Sequence, residues 1–337
     1  MRIATKISFA LLLLSFGKLS GQDIHFSQFA QSALNINPAN AGFFDADLRL
    51  GALHRRQWAS VTVPYKTFSV AADAKLNMFL PVLSGFGAGI LINHDETGDG
   101  QLRTLDVRAM FSYRHPLNSD SIHFIRVGLL SGFSQRTIDF NKLTFDNQFN
   151  GDSWDPQAPS GENYSGNKVN WFDVGIGIGW DMMNENSRYS LGISSTHLNR
   201  PNQSFMTETV RRPVLWQLNY ESIHKINDQF SLLPSMIYMH QQEFREFNLG
   251  AELKILLQNE KQQHAAAGLG IYSRWNDAII PTVAIYWSKF RFGFSYDINI
   301  STLNTVSRGM GGPEFSIVYM TKKISAHPQR SVVCPVY

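Results

Sequence analysis

The sequence predicts an all-β fold, a transmembrane antiparallel β-barrel of about 14 strands with an N-terminal periplasmic extension. Three observations carry that expectation. Segments with a two-residue hydrophobic period recur between residues 47 and 321, most of them near the about 9 to 11 residues that a tilted strand needs to cross a bilayer. Charged residues make up 17% of the 337-residue chain, below the roughly 25% typical of soluble domains. Mean hydropathy is nevertheless below zero, and beyond the leader no run of about 18 apolar residues exists, which excludes a bundle of membrane helices.

The pattern is plainest in residues 171–181, WFDVGIGIGWD. An extended backbone puts Phe172, Val174, Ile176, Ile178 and Trp180 on one side and Asp173, Gly175, Gly177, Gly179 and Asp181 on the other. Aromatics at both ends of an aliphatic stripe match a lipid-facing strand with interface girdles. The G-x-G-x-G run invites a dinucleotide reading, but no helical pattern follows it.

Taken in order, the chain opens with Arg2 and Lys6 ahead of the apolar run 7–16. That is the layout of a signal peptide, residues 1–21, with cleavage expected between Gly21 and Gln22. Residues 22–46 hold Asn35, Asn37, Pro38, Asn40 and Gly42 among aromatics, which predicts an ordered extension of turns and loops in the periplasm or the lumen. Strands are expected at 47–57, 66–75, 85–93, 101–115, 121–135, 171–181, 188–197, 213–222, 230–240, 244–257, 264–274, 278–287, 290–301 and 313–321. The barrel then occupies 47–323, and a periplasmic tail follows at 324–337. Cys334 is the sole cysteine, so no internal disulfide framework exists.

Connection lengths test this layout, because outer-membrane barrels alternate short periplasmic turns with longer external loops. With the N-terminus inside, the fifth and seventh connections, 136–170 and 198–212, fall outside and are the longest. The connections at 116–120, 182–187 and 288–289 fall inside and are short. Inner faces give a second test. In the fourth strand Leu105, Val107, Ala109, Phe111 and Tyr113 oppose Thr104, Asp106, Arg108, Ser112 and Arg114. In the thirteenth, Phe290, Phe292, Phe294, Tyr296, Ile298 and Ile300 oppose Arg291, Gly293, Ser295, Asp297 and Asn299. Inward charges of both signs with many glycines predict a crowded, cross-linked lumen, with a wet channel as the alternative.

Chemistry-bearing motifs are few. His94, Asp95, Glu96, Gly98, Asp99 and Gly100 crowd oxygen ligands into one loop but lack the full calcium-loop spacing, which favours a tight hairpin. No zinc or nucleophile-elbow motif exists; Ser194, Ser195 and His197 could assemble a hydrolytic constellation, or could simply be polar lumen or rim positions. Residues 23–29 alternate polar and apolar, fit to extend a partner's sheet edge or to lie in the barrel mouth. The external loop 138–170 sets Phe140, Phe145, Phe149, Trp154 and Tyr164 among Asp, Asn and Gly. That suits an interaction surface, or a loop folded over its own lumen. A net charge of +3 with Lys and Arg scattered gives no support for nucleic acid.

Several stretches converge on one family. DIHFSQF at 23–29, LNINPANAGF at 34–43, RLGALHRRQW at 49–58, NHDETGDG at 93–100 and QRTIDFNKLTFDNQF at 135–149 resemble the PorP/SprF family of type IX secretion proteins from Bacteroidetes. HLNRPNQSF at 197–205, FRFGFSYDINIS at 290–301 and the pair Cys334-Pro335 extend the resemblance, though the ending Pro-Val-Tyr departs from the basic residue expected after the proline. The resemblance implies an integral outer-membrane barrel, exported by its signal peptide and contacting outer-membrane lipid. It implies partnership with type IX components, with a periplasmic peptidoglycan-binding protein, and with the type B C-terminal sorting domain of secreted gliding adhesins. With no catalytic or ligand-binding motif among these residues, the expected role is non-enzymatic and without a cofactor. The rival readings are a passive porin-like channel and a lipid-modifying barrel enzyme. Expected partner-binding residues are Asp23, His25, Phe26, Gln28, Phe29, Asn37, Pro38, Phe140, Phe145, Phe149, Trp154, Tyr164, Cys334 and Pro335.

Overall fold

The computed structural model describes residues 23–58, 63–119, 122–155, 157–259, 264–302 and 304–321. The expected signal peptide, its cleavage site, and the tail with Cys334 and Pro335 lie outside the described residues.

Fourteen strands follow one another around a closed barrel. They are β1 (Leu48–Gln57), β2 (Tyr65–Lys75), β3 (Phe86–Thr97), β4 (Leu102–Pro116), β5 (His123–Thr137), β6 (Lys168–Met183) and β7 (Ser187–Thr196). The second half comprises β8 (Leu215–Lys225), β9 (Phe230–Gln241), β10 (Phe244–Asn259), β11 (His264–Arg274), β12 (Ala278–Trp287), β13 (Phe290–Asn299) and β14 (Met310–Thr321). Each strand pairs antiparallel with its sequence neighbours, and β1 meets β14 from Leu48↔Thr321 to Arg55↔Glu314. Closure removes the sheet edge, so the ladder can satisfy its own backbone groups where no water is present.

The period-2 faces sort as the hydrophobic pattern requires. On β6, Phe172, Ile176, Ile178 and Trp180 are exposed outward, whereas Asp173, Gly175, Gly177, Gly179 and Asp181 are buried inward. On β13, Phe290, Phe292, Phe294 and Ile298 face out and Arg291, Ser295, Asp297 and Asn299 face in.

Strand ends differ from expectation where pairing or backbone geometry decides them. β3 continues past residue 93 because His94, Asp95 and Glu96 keep their register opposite Phe68, Thr67 and Lys66. β7 stops at Thr196 because His197 turns into the left-handed region at φ 61°. β14 begins three residues early, across an irregularity opposite Asp297 and Ile298. The long connections 138–167 and 197–214 lie at one end, with 300–309 beside them. The other end has short turns, except for 76–85, which carries two single-turn 3-10 helices.

The core is the lumen, filled by residues 23–46. Phe29 and Ile36 pack with Leu215, Ile237, Met239, Tyr272, Ala278 and Ile280. Lower in the barrel, Leu34 and Ala41 pack with Leu91, Met110 and Leu130. Wall glycines admit this segment. A Cβ at Gly128 would lie 2.3 Å from the Ala39 nitrogen, and one at Gly177 would lie 1.9 Å from Asn37 Oδ1.

Candidate functional site

The site has two parts, a plug seated in the lumen and the loops at the end where the plug begins. Within the plug, 3-10 turns at Phe29–Gln31 and Pro38–Asn40 flank one helical turn at Ala33–Ile36. Pro38 starts its turn, where a missing N–H costs nothing. The Asn37 side chain caps that turn by accepting from Ala39 N at 2.9 Å. The result is a compact, kinked peptide whose remaining polar groups turn to the wall.

Near the long loops, Asp23 accepts from Arg212 at 2.8 Å and from Gln241 at 3.1 Å. His197 bridges Asp23 and Asp173, one carboxylate at each ring nitrogen. Burial would raise the Asp23 carboxyl; the Arg212 guanidinium and His197 outweigh it and hold the group well below the usual carboxylate range. Burial pushes the His25 imidazole well below its ordinary value, and the cations Arg55 and Arg274 push the same way.

The next contacts are charge-assisted. Ser27 N and Gln28 N donate to Glu314 at 2.7 and 2.8 Å, and Ser27 Oγ donates to Asp297 at 2.6 Å. Arg55 donates to the His25 carbonyl at 2.7 Å and to Asp297 at 2.8 Å, while Arg274 reaches Asp297 at 2.9 Å. Midway, Asn37 donates to the Ile178 and Ile193 carbonyls at 3.1 and 3.3 Å, and Ser194 Oγ donates to the Ile36 carbonyl at 2.6 Å. At the far end Arg126, paired with Asp181 at 2.6 Å, donates to Asn40 Oδ1 at 2.5 Å. Gly42 N donates to Asp73 at 2.8 Å, and Asp73 also holds Arg49. Buried charges are expensive unless paired. Here many of the pairs double as clamps on the plug.

This accounts for seven of the expected partner-binding residues. Asp23, His25, Phe26, Gln28, Phe29, Asn37 and Pro38 all lie inside the barrel against its wall. Of the two readings of residues 23–29, the structure places the segment inside the barrel, where it forms no strand. Sequence reasoning did not pick Ser27, Arg55, Arg126, Arg274 or Glu314 as plug-holding groups. Inward parity of a charge was the available signal, and it marked Asp173, Asp181 and Asp297.

The loop aromatics divide into two groups. Phe140 stacks on Tyr164 with centroids 3.6 Å apart, and Phe145 and Phe205 flank that pair. Ser165 N donates to the Phe205 carbonyl at 2.8 Å, tying 138–167 to 197–214. Phe149 and Trp154 touch each other at 5.2 Å yet remain 45% and 47% exposed.

Among the described residues His197 makes no hydrogen bond to Ser194 or Ser195. Both His197 nitrogens face carboxylates, and the Ser194 hydroxyl is committed to the plug. The acidic turn is tied internally, Asp95 to Thr67 at 2.6 Å and Glu96 to Lys66 and Arg103. Among the described residues no group of three or more His, Cys, Asp or Glu is placed to hold a metal ion.

Residues 18–319 match the family described as "Type IX secretion system membrane protein PorP/SprF". No curated protein matches the chain. Solved structures with a similar outline include the CymD monoaromatic hydrocarbon channel, at 11% identity and TM-score 0.47 over 87% of this chain and 93% of that one. A Pseudomonas aeruginosa FadL homologue is similar at 11% identity and TM-score 0.47, covering 86% and 94%. The Ralstonia pickettii toluene transporter TbuX is similar at 10% identity and TM-score 0.48, covering 87% and 94%.

Proposed function

The chain belongs to the PorP/SprF family of type IX secretion system membrane proteins, and from that membership we propose that its outer-membrane barrel is a non-enzymatic docking and anchoring component. On this reading the loop face, with Phe149 and Trp154 presented among polar residues, receives secreted surface proteins. Gliding adhesins bearing a type B C-terminal sorting domain are the clients in view. The opposite, short-turn face links to periplasmic secretion machinery, including a peptidoglycan-binding partner.

The observation that carries the reading is the filled lumen. A porin-like conduit needs an open bore, whereas here residues 23–46 occupy it and are clamped along its length. A lipid-modifying enzyme would need a free base, and His197 is held between two carboxylates.

Photo-crosslinking tests the docking role. A crosslinker at Trp154 in the native outer membrane is expected to capture a protein carrying a type B sorting domain, and one at Asp228, exposed on the short turn between β8 and β9, to capture a periplasmic component. Capture of lipid alone from both positions contradicts it.

A further inference from the structure

A cavity of about 560 Å³ opens at the short-turn end, between the plug and the ends of β2 to β5. Its described lining includes the cations Lys75, Arg114 and Arg126 and no carboxylate. Arg126 is neutralised by Asp181. Arg114 forms no ion pair of its own among the described residues: its guanidinium lies 3.5 Å over the Phe124 ring, its only described polar contact is Met183 Sδ at 3.7 Å, and its Nε is buried without a hydrogen-bond partner. Arg114 is only half-buried, so the rest of its guanidinium fork stays open to the cavity while its Nε lacks a partner. An anion with several oxygens would supply one, and phosphate matches the guanidinium fork.

The other end of the cavity is apolar and reaches the membrane side. Phe86 and Tyr113 are paired at 4.7 Å, line the cavity, and both face outward from the barrel. Beside them the turn 76–85 exposes Phe79, Leu80 and Val82, and the neighbouring turn exposes Leu117. Apolar side chains presented together at the mouth of a barrel fit the headgroup and acyl boundary of a leaflet better than water.

We propose that this cavity binds a phospholipid of the periplasmic leaflet, its phosphate on Arg114 and its acyl chains leaving along Phe86 and Tyr113. The site is independent of the docking role: it concerns what holds the short-turn end in its leaflet, not what the loops bind.

Native mass spectrometry of the full-length protein in neutral detergent tests it, with phosphatidylglycerol, inorganic phosphate and diacylglycerol as separate probes. Wild type is expected to retain phosphatidylglycerol and to bind the other two far more weakly. Arg114→Gln is expected to weaken the lipid about tenfold, the loss of one charge-assisted hydrogen bond. Heat-modifiable gel mobility reports whether that variant folds. Ser84→Glu, on the exposed turn, brings a repelling carboxylate to the same cavity without touching the barrel's core, and is expected to weaken the lipid likewise. Equal lipid retention by wild type and either folded variant overturns the site. Phosphate binding as tight as the lipid overturns the lipid source, and diacylglycerol binding as tight overturns the role of Arg114.

Discussion

Single residues decide whether the plug stays seated. Asp23 satisfies Arg212, His197 and Gln241 together, so Asp23→Asn leaves Arg212 buried without its carboxylate. The expected cost is about 3 kcal/mol, the range for breaking a buried pair. It is measured as a lowered unfolding midpoint in detergent, accompanied by protease cleavage within residues 23–31. The two shifted groups of the plug predict different pH windows. Asp23 is depressed, so its contribution is full above the unfolded carboxyl value near about 3.9 and is lost only as pH falls through its lower folded value. His25 is depressed too, so the lumen favours its neutral form. Its contribution is full above about 6.5 and declines as pH falls toward the folded value. Between pH 7.5 and 5, amide protection factors at the plug's N-terminal turn, corrected for the slower intrinsic exchange at lower pH, are expected to fall while the Asp23 latch holds. His25→Gln is expected to abolish that change, and an unchanged pH response in this variant contradicts the assignment.

The strands were legible because a two-residue period in this chain separates lipid from lumen with few exceptions. The Phe172, Ile176, Ile178 and Trp180 stripe and the Phe290, Phe292, Phe294 stripe each read directly as an outward face. Strand ends were less legible, since they depend on a partner's register, as at His94 to Glu96, or on one backbone angle, as at His197. The plug was legible only as an ordered segment. Its seat depends on contacts far apart in sequence, such as Ser27 with Glu314, and no local pattern encodes them. The inward glycines were visible as a tally of small residues; their reason, close approach by another backbone, emerged only with the plug in place. Gly128→Val is therefore expected to leave the strands paired, because a β-branched residue suits a strand. It is also expected to unseat the plug near Ala39, read as new protease sensitivity around residues 37–41 with unchanged heat-modifiable mobility. A protected plug in that variant contradicts the close-approach account.

At the scale of the whole molecule, a hydrocarbon-facing cylinder is filled by its own N-terminal segment and topped at one end by two loops sharing an aromatic cluster. Membership of a secretion-system family and a filled lumen together favour attachment over permeation. The loops should then tolerate separation from the barrel's stability. Replacing Phe149 and Trp154 by Ser is expected to shift the unfolding midpoint little, because both rings are already half exposed, while reducing crosslinked client several-fold, as loss of an aromatic anchor does. The most direct measurement of the central claim is conductance of the purified barrel in planar bilayers, compared with a variant lacking residues 23–41. The intact protein is expected to be electrically silent and the deletion to open large, steady steps; steady conductance by the intact protein, equal to that of the deletion, would contradict a lumen sealed by its own plug.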